Sequence, residues 1–219
     1  MDTMWHTKMF LNKLASSNKN KVIKGAIAYY KLQDWWLREF STKERTLIED
    51  KYKPMRCDPK TKPLTEGDIS SHSASVVNFL TTLSGWFNDR ANRNIAIKII
   101  SRAEELSQLD EGDILDKHFL YSEMIATYYP ERIQRKMFEK ATTACEKQIS
   151  LAPKATQAFL DKYPDQPLPS HRGYGQLEIV LAKQKKYKEA IKLCEQARDQ
   201  GWQGNWDKSI ERHKKRVSS

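Results

Sequence analysis

Cysteine is scarce in this chain of 219 residues: the three present, at 57, 145 and 194, are too few and too widely spaced for a disulfide framework and suit a reducing compartment. Glycine and proline number eight each, which excludes a collagenous or low-complexity chain. No apolar run approaches the roughly 20 residues that a transmembrane helix needs. Residues 1–13 lack the apolar stretch behind a basic start that marks a secretory signal. Strand signals are missing too: apolar residues do not alternate, turn dipeptides do not recur at regular intervals, and β-branched residues are scattered. These absences predict a soluble, cytoplasmic, all-α protein.

Hydrophobic residues make up 39% and charged residues 30% of the chain, more polar than an average globular domain. The 22 aromatics, six of them Trp, still supply a core, because each ring buries a large area. The length fits one large domain or two small ones. Lys and Arg total 38 against 28 Asp and Glu, a formal charge of +10 that gathers at the ends. Residues 3–33 hold six Lys and no acid, and residues 207–219 hold five basic and two acidic residues. The simpler reading of these ends is solvated Lys on soluble helices. The alternative is nucleic-acid binding by counterion release, with Lys19, Lys21 and Lys24 as the candidate phosphate contacts.

Along the chain, Val22, Ile23, Ala26, Ile27 and Tyr30 are spaced as one buried helical stripe. Asp34 opens a short aromatic helix through Trp35, Trp36 and Phe40. Ser41-Thr42-Lys43-Glu44 is a capping box, and the helix behind it should bury Leu47, Ile48 and Tyr52 and stop before Pro54. Adjacent aromatics, as in Trp35-Trp36, Tyr29-Tyr30 and Tyr128-Tyr129, lie about 100° apart on a helix, so one of each pair is expected in the core and the other partly exposed. Residues 53–64, with three Pro, read as a loop closing an N-terminal helical module over residues 1–64.

Glu66-Gly67-Asp68-Ile69 recurs 45 residues later as Glu111-Gly112-Asp113-Ile114, and at the same offset Ala96 matches Ala141, each among apolar neighbours. Such a period points to stacked supersecondary units that cannot bury their apolar faces alone. Each Gly-Asp pair would turn the chain and let Asp68 or Asp113 cap the coming helix. A third segment runs from Gly173-Tyr174-Gly175-Gln176-Leu177 to Leu181, then from Tyr187 through Ala190 and Cys194 to Ala197.

That third segment resembles a tetratricopeptide (TPR) repeat. Tyr174, Leu177 and Leu181 match its first helix, and Tyr187, Ala190, Cys194 and Ala197 its second. Two departures stand out: Glu178 occupies a small-residue position, and Trp202 replaces the terminal Pro. Leu83, Ser84 and Phe87 followed by Ala96, Ile100 and Ala103 fit the first repeat. Ala141, Cys145 and Pro153 fit the second helix and terminal Pro of the second repeat, while Pro130 disturbs its first helix. The resemblance implies a TPR-like helical-hairpin array, an α-α superhelix, over residues 65–219. Its repeats span about 68–106, 113–153 and 170–200, with a short helix over 154–163 and a polar capping helix over 207–216.

Catalytic signals are weak. The five His, at 6, 72, 118, 171 and 213, form no His-x-x-x-His frame, and no Cys-x-x-Cys occurs. Asp110, Glu111, Asp113 and Asp116 lack the ligand pattern of a calcium loop and read as acids favoured at a helix N-terminus. There is no glycine-rich phosphate loop, no Gly-x-Ser-x-Gly elbow, and no His with an Arg four to six residues upstream, the spacing of some all-helical ribonucleases. Cys145 and Cys194 read as small core residues, and Cys57, in a basic loop, as an exposed thiol. No catalytic residue, metal or cofactor is therefore expected.

What the resemblance implies instead is binding of a protein or peptide on the concave face lined by the first helices. The side chains there would be Asn78 and Thr82 in the first repeat, Glu123 and Thr127 in the second, and Arg172, Gln176 and Lys183 in the third. Asn, Arg and Lys on such a face can hold a peptide backbone and its carboxylates. The competing reading is that these are ordinary solvated residues. The expected function is a non-catalytic, regulatory adaptor with no membrane association.

Overall fold

A computed structural model describes residues 22–55, 57–58, 60–109 and 112–218. Among these residues the regular secondary structure is all helical, with no strand and a single isolated bridge between Ser170 and Gln203. No helix among them is long and apolar enough to cross a membrane. The contacts divide into an N-terminal unit ending at Ser71 and a C-terminal unit beginning at His72.

The N-terminal unit contains α1 (Gly25–Tyr29), α2 (Gln33–Glu39) and α3 (Thr42–Lys51). Its core gathers Ile27, Trp35, Trp36, Phe40, Ile48 and Leu64. Both Trp35 and Trp36 are buried, because Phe40 lies against each ring and closes the helix end over them, so neither is the exposed member of its pair. Ser41 and Glu44 form the capping box: Ser41 N donates to the Glu44 carboxylate at 2.8 Å and Glu44 N to Ser41 Oγ at 3.3 Å. Inside α3 the inward pair is Ile48 and Glu49, whereas Leu47 points to solvent.

Residues 63–67 are stitched to α1 by backbone bonds: Lys24 N to Thr65 O, Gly25 N to Gly67 O, Ala26 N to Pro63 O and Ile27 N to Leu64 O, all 2.8–3.0 Å. Gly25 permits this approach. Its φ is +57°, and a β-carbon there would sit 2.6 Å from the Pro63 carbonyl oxygen. The segment just beyond residue 64 thus belongs to the N-terminal unit, and Asp68 meets the Lys24 ammonium at 3.1 Å instead of capping a helix.

The C-terminal unit holds α4 (Val76–Gly85), α5 (Arg93–Ser107), α6 (Ile114–Tyr128), a 3₁₀ turn (Tyr129–Glu131), α7 (Arg135–Lys162), α8 (Arg172–Lys183), α9 (Tyr187–Asp199) and α10 (Trp206–Val217). Helices pack in sequential pairs, α4 with α5, α6 with α7 and α8 with α9, with α10 on α9. α6 also touches α4, α5 and α8, and α7 touches α8.

Ser75 caps α4, accepting from Asn78 N at 3.0 Å, and Asp113 caps α6, accepting from Leu115 N at 2.6 Å. The two halves of the four-residue repeat therefore do different work. Gly67 and Gly112 share a positive φ, yet only Asp113 caps, while the helix after Asp68 begins eight residues later. Ala96 and Ala141 are both fully buried, in α5 and α7.

α7 departs from expectation. Its 28 residues run through Pro153, so 154–163 is no separate helix. Pro153 is solvent-facing, and its lost hydrogen bond is outweighed by the inward face on either side, where Ala152, Ala155 and Phe159 are buried. These three join Leu115, Leu168, Tyr174, Cys194, Ala197, Trp202, Trp206 and Ile210 in one core. Trp202 and Trp206 fold the last turn onto it: the Trp206 indole N–H donates to Trp202 O at 2.6 Å, and that of Trp202 to Gln200 Oε1 at 3.0 Å.

Candidate functional site

The candidate residues lie on α4, α6 and α8, and α6 organises them. Asp116, Glu123 and Thr127 are spaced i, i+7, i+11 and form one stripe of α6, while His118 and Ser122, with Tyr129 just beyond the helix end, form another. The first stripe meets the α4 side. Asp116 accepts from Ser75 Oγ at 2.6 Å and from Asn78 Nδ2 at 2.8 Å. Asn88, in the loop after α4, donates to the Glu123 carboxylate and accepts from Thr127 Oγ1 at 2.9 Å. Arg93 donates to the Asn88 carbonyl at 2.6 Å and pairs with Glu131 at 3.3 Å, fixing that loop.

The second stripe meets α8. Arg172 Nε donates to Ser122 Oγ at 3.2 Å. Lys183 Nζ donates to the Tyr129 hydroxyl at 3.4 Å and sits 5.9 Å from the ring centroid, with Arg132 also over that ring at 4.8 Å. Burial raises the Glu123 carboxyl above its ordinary value, with the Arg172 charge and the Asn88 hydrogen bond pulling the other way.

The seven residues therefore differ in availability. Thr82, Arg172 and Lys183 are exposed. Asn78 and Glu123 are half-buried and engaged between helices. Thr127 is fully buried, so its expected place on an accessible face is corrected: it is a packing residue tied to Asn88. Gln176 is half-buried, and its Nε2 has no hydrogen-bond partner. Of the alternative set, Lys19 and Lys21 lie outside the described residues, and Lys24 is exposed and paired with Asp68.

Asn88, Ser122 and Tyr129 belong to no site motif in the sequence. Asp116 could have been found, since acids at 116 and 123 share a helix stripe with Thr127. Asn88 could not, because a loop residue carries no periodicity.

Behind the α6–α8 contact lies a buried polar cluster. Gln148 of α7 donates to the His118 carbonyl at 3.0 Å and accepts from Gly173 N at 2.7 Å, and His171 Nδ1 accepts from Tyr174 N at 3.3 Å, capping α8. Gly173 is needed here, since a β-carbon would sit 2.9 Å from Gln148 Oε1. His118 Nδ1 and His171 Nε2 are buried without partners.

Glu178, the departure from the small-residue pattern, is buried and faces α10, where it takes Arg212 at 2.6 Å and the His213 ring nitrogen. Cys145 and Cys194 are buried, and burial pushes both thiols up to about 12. Cys57 is exposed. Among the described residues no group of three or more His, Cys, Asp or Glu could hold a metal ion. Comparison with protein-family models, with curated proteins and with solved structures finds no match for this chain.

Proposed function

We propose that residues 72–219 form a degenerate TPR-like array of three helical hairpins closed by α10, and that the protein is a non-catalytic cytoplasmic adaptor that binds a protein or peptide along α4, α6 and α8. The observation that supports this reading is the contact order: α6 touches both α4 and α8, so the first helices of the three pairs line up as neighbours. Hairpin repeats stacked this way expose one extended face built from their first helices. On that face Thr82, Arg172 and Lys183 remain exposed, and the two cations suit carboxylates of a bound segment.

The test is crosslinking followed by affinity capture with the full chain, comparing wild type with Arg172→Glu and with Lys183→Glu. Both side chains are exposed, so the variants should keep the wild-type helical circular dichroism. The expected result is a defined protein partner whose recovery falls several-fold in each variant, in keeping with charges at an interface rim. Equal recovery from all three proteins, or no partner at all, would overturn the reading.

A further inference from the structure

The net positive charge of the C-terminal unit comes from its last stretch of chain. Residues 183–217 carry eleven Lys and Arg against five Asp and Glu, whereas residues 72–182 carry thirteen against fourteen. Packing of α9 on α10 gathers this charge from two separate stretches of chain. One cleft, of about 420 Å³, is lined by Lys185, Lys186, Lys188 and Glu189 around the start of α9 and by Arg216 at the end of α10. A second cleft of about 570 Å³ is lined by Lys208, Arg212, Lys215 and Arg216 together with Asp207 and Glu211, and shares Arg216 with the first. Positions 208, 212 and 216 are spaced i, i+4, i+8, a stripe about 12 Å long at a rise of about 1.5 Å per residue.

Local acids do not neutralise this surface. Glu189 lies 3.9 Å from Lys186, Asp207 takes Arg198 at 3.1 Å, Glu211 takes Lys214 at 3.3 Å, and Arg212 is held by Glu178. Lys185, Lys188, Lys208 and Arg216 are exposed and have no acidic partner among the described residues. Apolar anchors are lacking as well: Val217 is the one large apolar side chain exposed between 183 and 217. Tyr187, the aromatic in these clefts, is half-buried and stacked on His213, so it offers no free ring to a base.

Protein interfaces draw most of their energy from desolvated aromatic and Arg anchors in a dry centre. Unpaired cations without such a centre suit a partner that is itself a regular row of anions, where affinity comes from released counterions. We propose that this basic end, centred on Lys185, Lys188, Lys208 and Arg216, binds the phosphate backbone of nucleic acid without reading its sequence. The proposal is independent of the adaptor reading, which concerns α4, α6 and α8.

The experiment is fluorescence anisotropy of the full chain with labelled RNA of about 20 nucleotides, and with a DNA duplex of similar length, across KCl from about 50 to 300 mM. Engagement of four phosphates gives a linear fall of log K with log salt, with a slope of about −3. The variant K185E/K188E/K208E/R216E should bind at least about tenfold more weakly at 100 mM KCl and lose most of that slope. The neutral variant K185Q/K188Q/K208Q/R216Q serves the same purpose if charge reversal disturbs folding. Two unrelated sequences should bind within about threefold of each other, as backbone contacts require. Three results would overturn the proposal: no binding at the lowest salt; binding retained by both quadruple variants but lost in K19E/K21E/K24E; or equal binding of a poly-glutamate peptide, which would assign the surface to an acidic protein.

Discussion

His118 and His171 lie with ring centroids 5.2 Å apart, His118 stacked on Trp202 at 5.4 Å and His171 edge-on to it at 4.7 Å. Burial holds both imidazoles below the ordinary 6.5, His118 at about 4 and His171 at about 3, with His118 adding to the depression at His171. The unfolded chain therefore binds more protons than the native one between pH 6.5 and roughly 4, and stability falls with pH across that window. Two such sites give a slope of up to roughly 2–3 kcal/mol per pH unit. Glu123, whose carboxyl is raised, contributes with the opposite sign over the upper part of its titration and trims the total. Urea unfolding at pH 6.5, 5.5 and 4.5 should show this decline. His171→Asn should remove about half of it while keeping a side chain able to cap α8; an unchanged slope would contradict the assignment. The two histidines stand 53 positions apart in no recognisable frame, so only the tertiary contact brings them together. Arg172 and Lys183, which the tetratricopeptide resemblance put on an accessible face, are exposed. Thr127 was not legible as buried, because its burial depends on Asn88, a loop residue in another hairpin.

Element boundaries depend on caps, and some caps can be read locally. The Ser41–Glu44 box is a four-residue pattern whose partners are already neighbours in sequence, and it forms as written. Asp68 and Asp113 share a sequence context but not a role, because Lys24, 44 positions away, takes the first of them. The difference is measurable. Asp113→Ala should lower the stability of the C-terminal unit by about 1 kcal/mol, the usual cost of losing a helix N-cap. Asp68→Ala should cost no more than about 0.5 kcal/mol, as for an exposed ion pair. Chemical unfolding followed by far-ultraviolet circular dichroism separates the two, and equal losses would remove the distinction. Ala96 and Ala141, matched at the 45-residue offset, are both buried, whereas the turn motif at the same offset sets a cap only at Asp113. Pro153 misled for a related reason. Read locally it ends a helix, but the apolar face on both sides of it carries α7 onward.

At the scale of the whole molecule, the all-helical character of the described residues followed from composition and periodicity, whereas the length of α7 did not. Its 28 residues extend about 42 Å, against about 22 Å for the 15 residues of α6. The surplus is occupied: Gln148 holds Gly173, and Ala152, Ala155 and Phe159 share a core with Tyr174, Cys194 and Trp202. In a simple stack each repeat meets its neighbour across a seam and the terminal repeat can peel away. Here α7 runs unbroken from its packing on α6 to its packing on α8, and lifting off the last three helices would strip its far half bare. A protease nick in the exposed 163–167 segment should therefore release nothing: the two fragments should co-elute in native size-exclusion chromatography and separate only in denaturant, whereas fragments that part without denaturant would show that the seam is still a hinge.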